Sequence, residues 1–209
     1  MKLYDCTTAP SPQRVRIFLA EKGIDIPLVQ VALRDGEQLG DAFRKINPDC
    51  TVPVLALDDG STISEIFAIC QYLESRYPEP ALMGRNPLEQ ATVSMWNAKV
   101  EQHGLQGLAE ALRNRAKGMR DRALPGPLNY AQIPELAERG LKRAGAFFGR
   151  LDGQLTDKAF VTGDQFTMAD ITAYVMIEFA GWSRLSIADN QVHLQRWYND
   201  VSTRPAMKA

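Results

Sequence analysis

The segment CTVPVLALDDGSTISE, from Cys50 to Glu65, predicts a β-hairpin followed by the start of a helix. It contains the strand pattern VPVLAL, the turn DDG, a short strand STI and then polar residues that open a helix. Pro53 lies in the middle of the first strand pattern, where a trans proline would remove a ladder hydrogen bond. Two interpretations stay open. Pro53 lies on an edge strand that binds no ligand, or a cis bond turns the backbone amide and carbonyl of Val52 toward an extended ligand.

The elements around this hairpin complete a recognisable order. MKLYDC predicts a first strand that includes Cys6, which we expect to be a small core residue. SPQRVRIFLAEKGI predicts a helix with Ser11 as N-cap, Pro12 at the first helical position and Gly23 after the last turn. PLVQVAL predicts a second strand, GEQLGDAFRKI is weakly helical, and SEIFAICQYLESRY predicts the closing helix. The order β-α-β-α-β-β-α is thioredoxin-like and predicts an α/β domain with a small mixed sheet.

The second half of the chain predicts helices alone. YPEPALMGRNP is typical of a linker, and little strand pattern follows it. We therefore expect an α/β domain over residues 1–79 and an all-α domain over residues 86–209. In FTMAD, Thr167 and Asp170 have the spacing of a capping box before a very apolar helix.

Composition excludes several function classes. The chain has 209 residues, with 24 basic and 25 acidic side chains and a net charge of -1, which predicts no nucleic-acid or membrane partner. No apolar run approaches the roughly 20 residues that a bilayer span needs. Three scattered cysteines suit a reducing compartment, so we expect a cytoplasmic protein. Only two histidines, with no nearby cysteine cluster, predict that no metal is bound.

Ser64 and Glu65 add a possible ligand site at the start of the closing helix. A helix N-terminus has free amides and a partial positive charge, which suit a ligand carboxylate, and Glu65 is able to pair with a ligand ammonium group. A tripeptide such as γ-glutamyl-cysteinyl-glycine carries both groups at one end. The alternative is ordinary capping with an acidic first turn.

The whole pattern resembles the cytosolic glutathione transferase family. The matching segments are SPQRVRIFLAEKGI, NPDCTVPVLALDDG, ISEIFAICQYLESRYPE and FVTGDQFTMADITA, in that order. The resemblance implies a thioredoxin-like domain, a helical domain, a homodimer and glutathione as co-substrate. It also implies a cis bond before Pro53, pairing of the Val52 backbone with the cysteinyl part of glutathione, and a γ-glutamyl role for Glu65.

Two positions depart from the family pattern. The family has serine after its acidic residue, whereas this chain has Ile66, so that only the amide remains to bind a carboxylate. The serine or cysteine that contacts the glutathione sulfur in several classes aligns with Ala9, which has no donor. Ser11, or less favourably Thr8, would then supply the hydroxyl that stabilises the thiolate, although Ser11 could equally be a helix cap alone.

Further positions have two interpretations each. Cys50 aligns with a residue near the glycyl end of glutathione, or it is an inert buried thiol. Arg14 and Arg16 share the first helix, and we expect one to face the ligand or the second domain and the other to face solvent. A pocket for the second substrate is expected around Trp96, Lys99 and His103, whose spacing is equally typical of core or dimer packing.

The sequence therefore predicts a glutathione transferase that conjugates the glutathione thiolate to a small apolar electrophile. One alternative is a binding or scaffold protein that keeps the fold without the chemistry. The other is a glutathione-dependent reductase or isomerase. The absence of a cysteine at position 9 disfavours thiol–disulfide exchange, because that chemistry needs a protein thiolate.

Overall fold

The computed structural model describes every residue from Met1 to Ala209. The chain forms two compact units. The first consists of Met1–Pro80 together with Leu124–Leu128 and Lys208–Ala209, and the second of Ala81–Ala123 and Asn129–Met207.

The first unit is built on a four-stranded mixed sheet. Its strands, in chain order, are β1 Lys2–Asp5, β2 Leu28–Gln30, β3 Val54–Ala56 and β4 Thr62–Ser64. The spatial order is β2-β1-β3-β4, with β1 parallel to β2 and antiparallel to β3, and with β3 antiparallel to β4. The helices are α1 Pro10–Glu21, α2 Asp41–Arg44 and α3 Ile66–Arg76. This arrangement confirms the predicted thioredoxin-like fold.

Apolar side chains on α1, α3 and the sheet form the core of this unit. Burial of these side chains from water supplies the main force that holds the helices on the sheet. The fully buried members are Leu3, Val15, Ile17, Phe18, Val54, Leu55, Ile69, Cys70 and Leu73.

The start of α1 differs from the sequence prediction. The helix begins at Pro10 with Ala9 in the N-cap position, so the prediction of Ser11 as N-cap and Pro12 as first residue is wrong. Two prolines fit in the first turn because helical amides there have no intrahelical acceptor. The predicted end is confirmed, since Gly23 adopts a left-handed conformation with φ 63° just after the helix.

The second unit consists of helices joined by loops. They are α4 Pro87–Lys99, a π-helical turn Val100–Leu105, α5 Gln106–Arg113, α6 Pro134–Gln154, α7 Met168–Ala180 and α8 Val192–Ser202. The all-α prediction is confirmed. None of the helices combines the length and the apolar character that a membrane crossing needs.

Helix α7 forms the centre of the second unit, where every one of its residues except Glu178 is buried. The predicted capping box at its start is present. The Asp170 carboxylate accepts hydrogen bonds from the backbone amide and the hydroxyl of Thr167 at 3.0 and 3.1 Å. It also accepts from the Val161 amide at 2.8 Å and from the Trp197 indole at 2.9 Å. Asp170 therefore ties the start of α7 to α8 and to the preceding loop.

Helices α5 and α6 approach each other closely at two glycines. A Cβ atom placed on Gly140 would lie 2.3 Å from the carbonyl oxygen of Gly107, and one placed on Gly107 would lie 2.7 Å from the carbonyl oxygen of Gly140. Real Cβ atoms do not approach other atoms so closely. The two backbones therefore pack at a distance that glycine alone permits.

Candidate functional site

The register of the sheet brings three chain segments to one end. Tyr4 pairs with Val54, and Val54 pairs with Ser64. Strand β4 finishes at Ser64 and β1 finishes at Asp5, one residue after Tyr4, whereas the antiparallel strand β3 starts at Val54. The loop after β1, the residues before β3 and the turn after β4 therefore emerge at the same end of the sheet, which we call the site end.

Val52 lies directly before β3 at the site end. The Val52–Pro53 peptide bond is cis. Pro53 is buried and precedes the strand, so the prediction that it lies in the middle of a strand is wrong, because ladder pairing starts at Val54. The Val52 side chain packs on the cluster of Val31, Phe43 and Val54. This packing anchors Val52 while its amide and carbonyl lie outside the strand ladder.

Glu65 occupies the turn between β4 and α3. Its backbone has φ 67° and ψ 124°, which is uncommon for a residue other than glycine. Such a conformation costs of order 1–3 kcal/mol and is concentrated at functional sites. Ser64 is the last residue of β4, so the prediction that Ser64 opens the helix is wrong. Glu65 itself is the exposed N-cap residue.

The first turn of α3 offers backbone donors at the site end. The first helical hydrogen bond runs from the Ile69 amide to the Glu65 carbonyl at 2.9 Å. The amides of residues 66–68 precede it, and no side chain caps this helix. Together with the helix dipole, these donors favour a carboxylate at the start of α3.

Two hydroxyl groups lie where α1 begins. The Ser11 hydroxyl oxygen accepts a long hydrogen bond of 3.5 Å from the Arg14 guanidinium, which leaves its proton available to a further acceptor. The Thr8 hydroxyl lies 3.6 Å from the Cys6 sulfur in the exposed loop. Cys6 follows β1 and is half-buried, so the prediction of a core residue within the strand is wrong.

The structure also contains a buried ion pair that sequence reasoning missed. Arg16 donates to the Asp5 carboxylate at 2.6 Å, and Asp5 is fully buried. Arg14 is buried as well, at 5% exposure, so the prediction that one of these two arginines faces solvent is wrong. The pairing partner is 11 residues away in the chain. The available signal was the alternation of β1, which places Asp5 on the same face as the buried Leu3.

The turn before β3 is held by Asn47. Its side-chain amide donates to the Thr51 carbonyl at 2.9 Å, while its side-chain oxygen accepts from the Asp49 amide at 3.1 Å. Cys50 follows in a left-handed conformation with φ 54°, and its buried thiol donates to the Pro48 carbonyl at 3.5 Å. The predicted NPDC turn is therefore present, with the Cys50 thiol inside it.

The residues predicted to line the second-substrate pocket belong to the second unit. Trp96 is 9% exposed, and the Lys99 ammonium lies 4.5 Å from the centre of its ring. His103 stacks on Phe147 with ring centres 5.8 Å apart. Within their unit these side chains thus make packing contacts, and their role toward a substrate stays a prediction.

The metal-binding side chains do not converge. No group of three or more histidine, cysteine, aspartate or glutamate side chains is placed to hold a metal ion.

Comparison with known proteins assigns the two halves to matching family models. Residues 8–76 match the glutathione S-transferase N-terminal domain, and residues 116–205 match the glutathione S-transferase C-terminal domain. Together the two matches cover most of the chain.

Individual relatives agree with these models. The chain is 34% identical to glutathione S-transferase 2 of Saccharomyces cerevisiae over 213 residues, which cover 100% of this chain and 88% of that protein. A glutathione S-transferase domain-containing protein of Marinobacter aquaeolei has a solved structure with a TM-score of 0.91 and 36% identity, over 99% of this chain and 100% of that one.

A third relative has a different name and a shorter match. The maleylacetoacetate isomerase of Pseudomonas aeruginosa is 45% identical over 93 residues, which are 44% of each protein. The family models and the full-length relatives agree with the thioredoxin-like fold and the helical second unit, and on these grounds the chain belongs to the glutathione S-transferase family.

Proposed function

We propose that this protein binds glutathione at the site end of the sheet and transfers its sulfur to a small apolar electrophile. The observation that carries the proposal is the sheet register, which brings the Val52 backbone, the Glu65 turn and the hydroxyl-bearing start of α1 to one place. Each of these groups suits a different part of one tripeptide.

The start of α3 would hold the γ-glutamyl end. The ligand's carboxylate would accept hydrogen bonds from the first-turn amides, beginning with Ile66, and its ammonium group would pair with the exposed Glu65 carboxylate. The unusual backbone conformation of Glu65 supports this role, because the Glu65 side chain and the amides that follow it then belong to one turn at the start of α3. Ile66 supplies only its amide, since it has no hydroxyl.

The cysteinyl and glycyl parts would lie along the Val52 side of the site. The Val52 amide and carbonyl would pair with the cysteinyl backbone in the manner of an added strand. Pro53 would fix the direction of the chain at that point, and Ser64 would keep β4 in register with it. Cys50 would take part through its backbone near the glycyl end, because its thiol is buried.

Ser11 would stabilise the glutathione thiolate. A hydroxyl that accepts a hydrogen bond from the Arg14 guanidinium is a stronger donor through its own proton, and that proton would point at sulfur. Thr8 is the weaker candidate, since its hydroxyl lies beside the Cys6 sulfur. The thiol proton leaves to solvent, the thiolate forms a carbon–sulfur bond, and the electrophile expels its leaving group or takes up a proton. The electrophile would contact Trp96, Lys99 and His103.

Two measurements test the proposal. Calorimetric titration with glutathione should show binding at millimolar concentration or tighter, and conjugation to 1-chloro-2,4-dinitrobenzene should be measurable. In Ser11→Ala, kcat at neutral pH should fall about tenfold to a hundredfold, because the loss of one hydrogen bond to a charged group raises the pKa of the bound thiol and lowers the thiolate fraction, while the KM for glutathione changes little.

The matched control for this variant is Ser202→Ala. Ser202 is also a half-buried helical serine, and its hydroxyl donates to the Tyr198 carbonyl at 2.6 Å in the second unit. Its kcat should equal that of the unaltered protein. Absence of glutathione binding would remove the proposal, whereas loss of kcat in Thr8→Val but not in Ser11→Ala would move the role to Thr8.

A glutathione-dependent isomerase is a second candidate, favoured by the match to the Pseudomonas maleylacetoacetate isomerase. The same thiolate would add to a conjugated double bond and leave again after rotation, so that the product contains no glutathione. Mass spectrometry of the products distinguishes the two reactions, because a transferase yields a stable conjugate and consumes one glutathione per turnover.

A binding or scaffold role is a third candidate, because Ala9 and Ile66 both lack the hydroxyl that the family pattern has. Glutathione binding without any conjugate or isomerised product would support it.

A further inference from the structure

The loop that leads into α1 is fastened at Thr7. Both the amide and the hydroxyl of Thr7 donate to the side-chain oxygen of Gln30, at 3.0 and 2.9 Å. The Thr7 carbonyl accepts from the Arg16 guanidinium at 3.0 Å. All the polar groups of Thr7 are thus held by two side chains, one on β2 and one on α1.

Both of these side chains are anchored on the same buried carboxylate. Gln30 donates its side-chain amide to one oxygen of Asp5 at 2.6 Å, and Arg16 donates to the other oxygen at 2.6 Å. Asp5 is completely buried and Arg16 is 9% exposed. A buried charge pair with satisfied hydrogen bonds has a fixed geometry, because any displacement would leave a charge without a partner. We call Asp5, Arg16, Gln30 and Thr7 the Thr7 clamp.

Other contacts do not attach the loop to the sheet in this way. The Ala9 amide donates to the Cys6 carbonyl at 2.9 Å, a bond that closes the turn inside the loop itself. No side chain caps α1 at Ala9, and Pro10 and Pro12 have no amide proton to donate. The place of Thr8 at the site end therefore depends on how Thr7 is held. Ser11 is the second residue of α1, whose buried face packs on the sheet, and Thr7 adds the point at which the chain is held before it enters that helix.

We propose that Gln30 and Arg16 are positioning residues that act through Thr7 to hold the Thr8–Ser11 segment at the distance from sulfur that thiolate stabilisation needs. This inference rests on the proposed glutathione transferase function. The hydrogen bonds of the clamp join its four residues to one another and not to the Val52 backbone or the start of α3. Loss of the clamp should therefore change the pKa of the bound glutathione thiol more than it weakens the binding of the tripeptide.

Gln30→Ala is the test variant, because Gln30 is exposed and its removal leaves no cavity. The matched control is Gln195→Ala, since Gln195 is a half-buried glutamine whose side chain makes one hydrogen bond, to the Ala188 carbonyl at 2.9 Å on the second unit. Both variants are checked for folding by circular dichroism. The thiolate absorbance of bound glutathione is then titrated against pH, and kcat and KM are measured at neutral pH.

In Gln30→Ala, the pKa of the bound thiol should rise toward its value in free glutathione. We expect kcat to fall about tenfold, the effect of misplacing one donor to an anion, with less than a twofold change in the KM for glutathione. Thr7→Val, which keeps the amide but removes the hydroxyl, should show a smaller effect of the same kind. The double variant should have the same thiol pKa and kcat as Gln30→Ala alone, because both substitutions break the same contact between Thr7 and Gln30.

A second readout does not need glutathione. Hydrogen exchange of the Thr7 amide in the ligand-free protein should be about tenfold faster in Gln30→Ala, because that amide loses its acceptor, and unchanged in Gln195→Ala. An unaltered thiol pKa and kcat in folded Gln30→Ala would overturn the positioning role. Failure of the unaltered protein to bind glutathione would instead overturn the proposed function, and the exchange rate would still report whether the clamp holds Thr7.

Discussion

Substituting alanine for Gly140 tests the close approach of α5 and α6. The new Cβ atom would lie 2.3 Å from the Gly107 carbonyl oxygen and 2.9 Å from the Glu110 Cβ atom. Carbon–oxygen contacts in helix interfaces are about 3.3 Å or longer. The two helices would therefore have to separate by about 1 Å. Neither neighbour is the end of a flexible side chain, so neither can turn aside.

The expected change in the free energy of unfolding is the difference between the cost of overpacking and the gain in helix propensity. Overpacking of this kind costs about 3 kcal/mol, the upper part of the usual range, whereas alanine is favoured over glycine inside a helix by about 1 kcal/mol. Gly140→Ala should thus lower the free energy of unfolding by about 2 kcal/mol. For a protein of 209 residues this corresponds to a decrease of about 4–8 °C in Tm.

The matched control is Gly149→Ala on the same helix. A Cβ atom there has its nearest neighbour at 3.9 Å, which is an ordinary contact. Only the helix-propensity term remains, so this variant should be more stable by up to about 1 kcal/mol.

Urea unfolding followed by tryptophan fluorescence is a suitable assay, because Trp96, Trp182 and Trp197 all belong to the second unit, as does this helix pair. A Gly140→Ala protein that is as stable as the unaltered chain, or one that matches Gly149→Ala, would refute the reasoning.

Three further predictions concern a buried cation, a buried carboxylate and the proposed ligand site. Lys22→Met should lower the free energy of unfolding by about 3 kcal/mol in urea unfolding followed by circular dichroism, because it removes a buried ammonium that pairs with the partly buried Glu74 carboxylate at 2.7 Å and donates to the Tyr77 and Pro80 carbonyls. The substitution Lys117→Met, at an exposed lysine, should change little. Burial raises the pKa of Asp170 from 3.8 to about 6, so its protonated form is favoured by folding. The free energy of unfolding of the unaltered protein, measured relative to that of Asp170→Asn, should be greatest below about pH 4 and fall by about 3 kcal/mol as the pH rises through 6. A difference between the two proteins that does not change with pH would contradict this. Ile66→Ser should tighten glutathione binding about tenfold in calorimetry by restoring one hydrogen bond to a carboxylate, and unchanged affinity would place the carboxylate elsewhere.

Local patterns in the sequence predicted most of the elements. The α1 helix, the Asn47–Cys50 turn, the hairpin before Ser64 and the capping box at Thr167 each depend on residues within a few positions of one another. Turn chemistry, capping and side-chain periodicity act over that range, so they can be recognised without any knowledge of packing.

The order of strands and helices could be predicted from the sequence, which also shows Pro53 beside Val52 and no hydroxyl at Ala9 or Ile66. The folded structure was needed to show where α1 begins and that Arg16 is buried against Asp5. It also decided that Gln30 reaches Thr7 from a neighbouring strand. These features join residues that lie far apart in the chain, and their energies depend on burial and register. Both are set only when the sheet and its helices have packed together.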